Sequence, residues 1–450
     1  MQRTKDMTTG KPVGLIIRFA LPFMLGNIFQ QLYTVTDTAV VGKALGVQAL
    51  AALGAVDWLN WLMLGIVTGL TQGFSIPMSR EFGAKNYDEL RRVIDNAGYI
   101  AAASTLLLLL AGQLFARPVL MLMGTPAEVM ENALLYLRIM YCGIPAVMAV
   151  NYMASILRSM GDSRTPLEAT AVASLTNIAL DLLFVLVFGW GIAGAAVATV
   201  IAQVISGVYC FVQVRKNSIF RHSARSFDAV LSRDIVAVSL PILVQYLIIG
   251  LGGLVVQAAA NREGIVFIAG FTASNKLYGL IEMAATSYGS AMLTYCGQNY
   301  GAGKLDRVKS GMRDSWLIST ATAVGIGALM LVSGRFILSW FISGTAEEYG
   351  AAMEIAYRNL SLMSIFLPVL YYIYVTGSGI RGLGNTVLPM VSGIAELVMR
   401  CTMVNILPPL FGPNGILYVE ITAWVAGALV LLVSWRIVFG RVEKQLAAAQ

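Results

Sequence analysis

Runs of twenty or more mostly apolar residues, each closed off by glycine, proline or charge, follow one another from about residue 15 to residue 438. An apolar run of that length suits a helix crossing about 30 Å of hydrocarbon. The pattern predicts twelve such spans, near 15–42, 51–78, 93–115, 131–156, 166–188, 191–213, 236–259, 266–294, 314–338, 354–377, 386–408 and 414–438. Polar residues inside the runs are few. The stretch TNIALDLLFVLVFGWG, residues 176–191, holds Asn177 and Asp181 in a segment otherwise fit for lipid. A carboxylate near the middle of a bilayer costs at least about 2.5–3.5 kcal/mol, so it is turned inward and used.

Composition sharpens the class. Of 450 residues 57% are hydrophobic and 12% charged, with a mean hydropathy of +0.73, against about 25% charged in soluble domains. Long apolar segments exclude the ten-residue alternating strands of a membrane barrel. An all-α polytopic membrane protein is expected. The segment before Leu15 is polar and the run after it outlasts a signal-peptide core, so the first span is expected to remain as an anchor. Cys142, Cys210, Cys296 and Cys401 are far apart and imply neither a metal site nor a disulfide framework.

Charge then sets orientation. The chain carries +7 overall, but its 31 Lys and Arg residues are spread over short connections rather than gathered into a patch for nucleic acid. Twenty-three lie on one side of the twelve-span map and six on the other, with Lys276 and Arg400 inside spans. The positive-inside rule places both termini in the cytoplasm. A cell inner (plasma) membrane location follows.

The chain also resembles itself. ALPFMLGNIFQQLYTVTDTAVVG from Ala20 matches SLPILVQYLIIGLGGLVVQAAAN from Ser239, and EFGAKNYDELRRV from Glu81 matches NYGAGKLDRVKSG from Asn299. LRSMGDSRTPL from Leu157 likewise matches IRGLGNTVLPM from Ile380. Two lobes of six spans are expected, residues 1–220 with the cytoplasmic N-terminus and 221–450 after the inter-lobe loop. An even number of spans per repeat relates them by an axis along the membrane normal, around a central cleft. Duplicated bundles with buried charge point to an alternating-access transporter.

With these residues in view, the chain resembles the MATE family, the multidrug and toxic compound extrusion transporters, over essentially its full length. Carrying the resemblance are Pro22, Asn27, Asp37, Val41 and Gly42 of the first span, the Gly-Ala loops after spans two and eight, the RxxGD/N turns and the 6+6 repeat. The family implies two six-helix bundles exchanging an inward cation for an outward drug. Its DinF-like branch implies a functional cluster at Asp37, Asn177, Asp181 and Thr199, supported by Tyr33 and by Pro22 as a bending point. The NorM-like branch implies an acid in span seven, and ILVQYLIIGLGG, residues 242–253, has none. An N-lobe mechanism is expected.

Helix geometry agrees with that cluster. Asp37 lies six residues before Lys43, Asp181 seven before Phe188 and Thr199 seven after Ile192. At 1.5 Å per residue all three sit roughly 10 Å below the outer surface. Asn177 and Asp181, like Tyr33 and Asp37, are i and i+4 on one helix face. The set offers hard oxygen ligands to Na⁺ or a pair of carboxylates to H⁺, or merely pins helices together. Elsewhere, Glu396 and Arg400 are i and i+4 in span eleven and read as a self-neutralised pair, while Lys276, Glu282 and Glu420 are candidates to line the cleft.

No enzyme constellation appears. GQNYGAGKL, residues 297–305, lacks the spacing and the hydroxyl of a phosphate loop, and the single histidine, His222, lies in a basic loop. The expectation is a secondary active antiporter of cationic or amphiphilic drugs and toxic compounds, without a cofactor, coupled to H⁺ or Na⁺. Its partners are small-molecule substrates and membrane lipid, and it works as a monomer. A lipid-linked oligosaccharide flippase of the same superfamily is the alternative, which calls for more cations in the cleft. A membrane-embedded lipid-modifying enzyme ranks lower.

Overall fold

The structure, a computed structural model, describes residues 4–217, 219, 227–342 and 345–449. Arg221, His222 and Arg225 of the inter-lobe loop lie outside the described residues. Every regular element among the described residues is helical. Nine segments are long and apolar enough to cross a membrane, ten when the bent pair Ala127–Cys142 and Ile144–Ser159 counts as one span. One of those segments, Val387–Gln445, contains two helices, Val387–Phe411 and Ile416–Ala449. The eighth span, Ile265–Gly301, is 37 residues long but falls short in apolar character. Its face toward its neighbours is built of Ser274, Ser287, Thr294, Gln298 and Asn299, all buried. A helix wrapped by protein has no need of lipid-like side chains all round. Twelve spans result, and the chain is a multi-pass membrane protein of two six-helix bundles.

Helix ends overshoot the apolar runs, mostly toward the basic connections. Span three begins at Tyr87, span seven at Ala229 and span nine at Leu305, six to nine residues before the apolar boundary. Hydropathy marks where lipid begins, whereas the backbone ladder continues until a cap stops it. Asn86 caps span three by accepting from the Glu89 N–H at 3.3 Å. Asp228 caps span seven by accepting from Val230 and Leu231, and its other oxygen takes Arg92 at 2.8 Å. These donors hold its carboxyl below the usual carboxylate range. Thr345 and Glu348 form a reciprocal capping box at the start of span ten, Ala346–Gly382.

Spans one and two, Pro12–Gly46 and Ala51–Gly83, are separated by Gly46 at φ 80°, ψ −172°. Spans seven and eight are separated by Gly264 at φ 93°, ψ 170°. These equivalent glycines sit in a region essentially closed to other residues. The RxxGD/N turns match as well. Asp162 accepts from the N–H groups of Arg164 and Thr165 at 3.0 Å, and Asn385 from that of Leu388 at 3.0 Å.

The chain divides into two compact units, Met1–Asp6 with Leu21–Leu243, and Met7–Ala20 with Val244–Gln450. This differs from a boundary at 220/221 in two ways. Span seven begins in the first unit, where Ile235 joins the core of Phe74, Met78, Val93 and Ile156. The start of span one belongs to the second unit, where Met7, Ile16 and Phe19 pack with Met292, Tyr295 and Met312. Polar contacts secure it. The Met7 N–H donates to Gln298 Oε1 at 2.8 Å, Lys304 Nζ to the Thr8 carbonyl at 3.0 Å, and Arg307 Nη2 to the Gly10 carbonyl at 2.9 Å. The lysine of the phosphate-loop look-alike therefore holds a backbone carbonyl.

Candidate coupling site

Span five is built to bury one polar face. Arg164–Asp181 is α-helical, with Ser174, Asn177 and Asp181 buried on one side at spacings of three and four. Ser174 Oγ donates to the Phe29 carbonyl at 3.2 Å, drawing span five against span one. Directly after Asp181 the helix widens into a π-helical turn, Leu182–Val187. Such turns are rare and concentrate at functional sites. Phe184 of this turn stacks on Trp190 with ring centroids 4.7 Å apart.

Span six, Gly191–Lys216, supplies Thr199. Asn177 Nδ2 donates to Thr199 Oγ1 at 3.2 Å. Asp37 of span one and Asp181 lie within electrostatic reach of one another. All four residues lie in the first unit. Relative exposure is 8% at Asp37, 1% at Asn177, 0% at Asp181 and 7% at Thr199, so all four are largely removed from bulk water.

What distinguishes the cluster is its unsatisfied oxygen. Asp37 Oδ1, Asn177 Oδ1 and both Asp181 oxygens are buried without a hydrogen-bond partner in the protein. More than nine in ten buried polar groups find one. An ionised carboxylate buried without a partner is costly. The same unit holds an apolar core that includes Val41, Val56, Tyr136, Val185, Ile192 and Ala195. Among the described residues no three His, Cys, Asp or Glu side chains gather as for a multivalent metal.

Tyr33 is half-buried beside Thr34 and Gln203 and within reach of Asp37. Pro22 lies inside a helix whose backbone stays helical through it, one residue after the chain passes from the second unit to the first at Leu21. Two neighbours escaped the sequence reading. Tyr136 of span four lies within electrostatic reach of Asp37 and Asp181, and Asp57 of span two within reach of Asp37. Asp57 was legible in principle, because it stands six residues from Ala51 as Asp37 stands six from Lys43. Its setting in DWLNW, whose Trp58 and Trp61 rings stack at 5.0 Å, reads as an interface anchor instead.

The remaining candidates fall in the second unit, where Glu282 lies within electrostatic reach of Glu420, Arg400 and Glu396. Lys276 is exposed. Tyr374 donates to Glu282 at 2.6 Å. The Glu396–Arg400 pair is present and is joined by Glu420. Arg400 gives Nε and Nη2 to Glu420 at 2.9 and 2.6 Å, while Glu396 stands at 3.5 Å. The planar guanidinium fork matches a carboxylate across the helix interface better than one a turn away on its own helix. Trp424 Nε1 also donates to Glu420, at 3.2 Å.

A family model described as MatE matches residues 22–183 and 241–405. Over 419 residues the chain is 28% identical to a protein named probable multidrug resistance protein YpnP of Bacillus subtilis (strain 168), covering 91% of this chain and 92% of that one. It is 29% identical over 359 residues to probable multidrug resistance protein YoeA of the same organism, covering 76% and 75%. A solved outward-facing multidrug resistance MATE family transporter of the MOP superfamily superposes with a TM-score of 0.91 at 21% identity, covering 99% of both chains. Because the family model matches most of the chain, in both repeats, this protein belongs to the MatE family of membrane transporters and is not an enzyme.

Proposed function

We propose that the protein is a secondary active antiporter exporting organic, cationic or amphiphilic toxic compounds in exchange for H⁺ or Na⁺ by alternating access. The observation carrying this reading is the pair Asp37 and Asp181, buried beside the Asn177–Thr199 bond with carboxylate oxygens that nothing in the protein satisfies. Relatives named for multidrug resistance supply the substrate class. In this reading the protein is a monomer in the cell membrane with both termini cytoplasmic, as the basic connections indicate.

The residues have distinct duties. Asp37 and Asp181 accept the ion, Thr199 and Asn177 hold the geometry, and Tyr33 and Tyr136 lie within electrostatic reach of Asp37. Loading one positive charge removes the repulsion between the two carboxylates. Span one carries Asp37 and, fifteen residues earlier, Pro22, which lacks a backbone donor and offers a point of bending. An imported charge supplies about 2.3 kcal/mol per 100 mV besides its concentration gradient. The flippase alternative loses support because Arg400 is engaged by Glu420 and Glu396 and presents no free cation to a phosphorylated substrate.

The test is uphill export of a fluorescent organic cation from proteoliposomes under separately imposed Na⁺ and pH gradients. Transport driven by one gradient and collapsed by its ionophore is expected. Absence of transport under both, with the protein inserted and folded, would overturn the reading.

A further inference from the structure

A groove in the first unit, whose lining shares no residue with the coupling cluster, lies between span three, the bent span four and span six, with a volume of about 380 Å³. We propose that it binds the headgroup of an anionic phospholipid, with phosphatidylglycerol as the representative ligand. Two guanidiniums line it, Arg91 near the start of span three and Arg215 at the penultimate position of span six. Both stand at the helix ends facing the basic connections, the depth at which headgroups lie.

The groove has a polar rim and an apolar floor. Arg215 is exposed and its guanidinium carbon lies 5.3 Å from the Phe211 ring centroid, which holds the long side chain along the groove rather than loose in water. Arg91 is anchored by the Ile219 carbonyl at 3.1 Å and by Asp88. Tyr99 lines the groove and carries Phe227 edge-on against it, ring centroids 5.7 Å apart. Beneath these, Ile94, Met153, Ile156 and Val214 offer hydrocarbon to the first carbons of acyl chains. The Tyr152 hydroxyl is spent on the Ile94 carbonyl at 2.5 Å and passes so near Gly98 that a Cβ there would stand 3.0 Å from it. Glycine at 98 thus leaves the groove its depth.

Charge complementarity selects the ligand. Asp88 pairs with Arg91 and Asp95 stands in the lining, while Arg215 and the exposed Lys216 next to it add positive charge. Three cations against two carboxylates leave one net positive charge, which attracts a lipid bearing net negative charge and gives a net-neutral headgroup no such advantage. Arginine is the side chain suited to phosphate, through paired charge-assisted hydrogen bonds. The connection beginning at Arg215 adds Arg221, Arg225 and Arg233 in sequence, and such clusters next to a membrane helix attract anionic leaflets.

The experiment is native mass spectrometry of the purified full chain titrated with phosphatidylglycerol or phosphatidylcholine. Arg215→Ala should weaken phosphatidylglycerol binding about fivefold, and the Arg91→Ala, Arg215→Ala double variant more, at about fivefold for each arginine. Phosphatidylcholine binding should be unchanged in both. Because Arg91 also braces Asp88 and Ile219, the single Arg215→Ala variant is decisive for the site. Lys309→Ala removes an exposed charge from a basic connection of the second unit and should leave phosphatidylglycerol affinity at the wild-type value. Wild-type affinity in Arg215→Ala, an equal loss in Lys309→Ala, or a parallel loss of phosphatidylcholine would each overturn the proposal.

Discussion

Asp181 is wholly buried with neither oxygen satisfied, and Asp37 nearly so; in the proposed antiport a bound ion or proton balances their charge. Asp37→Asn and Asp181→Asn should each insert and fold normally yet reduce gradient-driven export to background, because an amide cannot change charge. Normal active export by both, in the liposome assay, would reject the cluster. Thr199→Val removes one hydrogen bond, of about 1 kcal/mol, and should lower apparent ion affinity roughly fivefold while keeping transport. In the second unit, Arg400 is buried between Glu420 and Glu396, and removing one member of such a network strands the others. Arg400→Gln should therefore destabilise the protein by about 3–5 kcal/mol. The triple variant Arg400→Met, Glu396→Gln, Glu420→Gln should recover much of that stability and retain coupled export, as thermal unfolding and the transport assay would show. A stable triple variant that had lost coupling would move ion binding into this unit.

Helices and the breaks between them determine where these side chains arrive. The π-helical turn after Asp181 shifts the facing of Leu182–Val187 relative to the regular helix before it, and no periodicity in that uniformly apolar stretch announces it. The breaks at Gly46 and Gly264 are equally local. Neither glycine's absent Cβ would meet any atom within 4 Å, so the demand there is for backbone conformation alone. Gly46→Ala should cost about 1–3 kcal/mol through strain at φ 80°, read as a lower unfolding temperature. Gly54→Ala, which also meets nothing within 4 Å but lies within a helix, should be neutral or stabilising. Equal shifts from the two substitutions would dismiss the conformational explanation.

Across the whole chain, the basic connections predict which faces meet the cytoplasm. In a cysteine-free background, cysteine at Lys309 should react with a membrane-impermeant reagent only from the cytoplasmic side and cysteine at Glu347 only from outside; external labelling at position 309 would refute the orientation. The spans and the repeat were legible in the amino-acid order because they rest on periodic or local rules, while the cluster residues were singled out as a set by the family resemblance. Lipid demands about twenty apolar residues per crossing, a buried carboxylate stands out against them, and i, i+4 spacing places Asn177 and Asp181 on one face. Partners separated by hundreds of residues obey no such rule. Only tertiary packing decided that Arg400 favours Glu420 over Glu396, that Asp57 and Tyr136 join the surroundings of Asp37, and that Met7–Ala20 belong with the second unit. Those choices turn on side-chain distances between helices, and hydropathy along a single chain contains no measure of them.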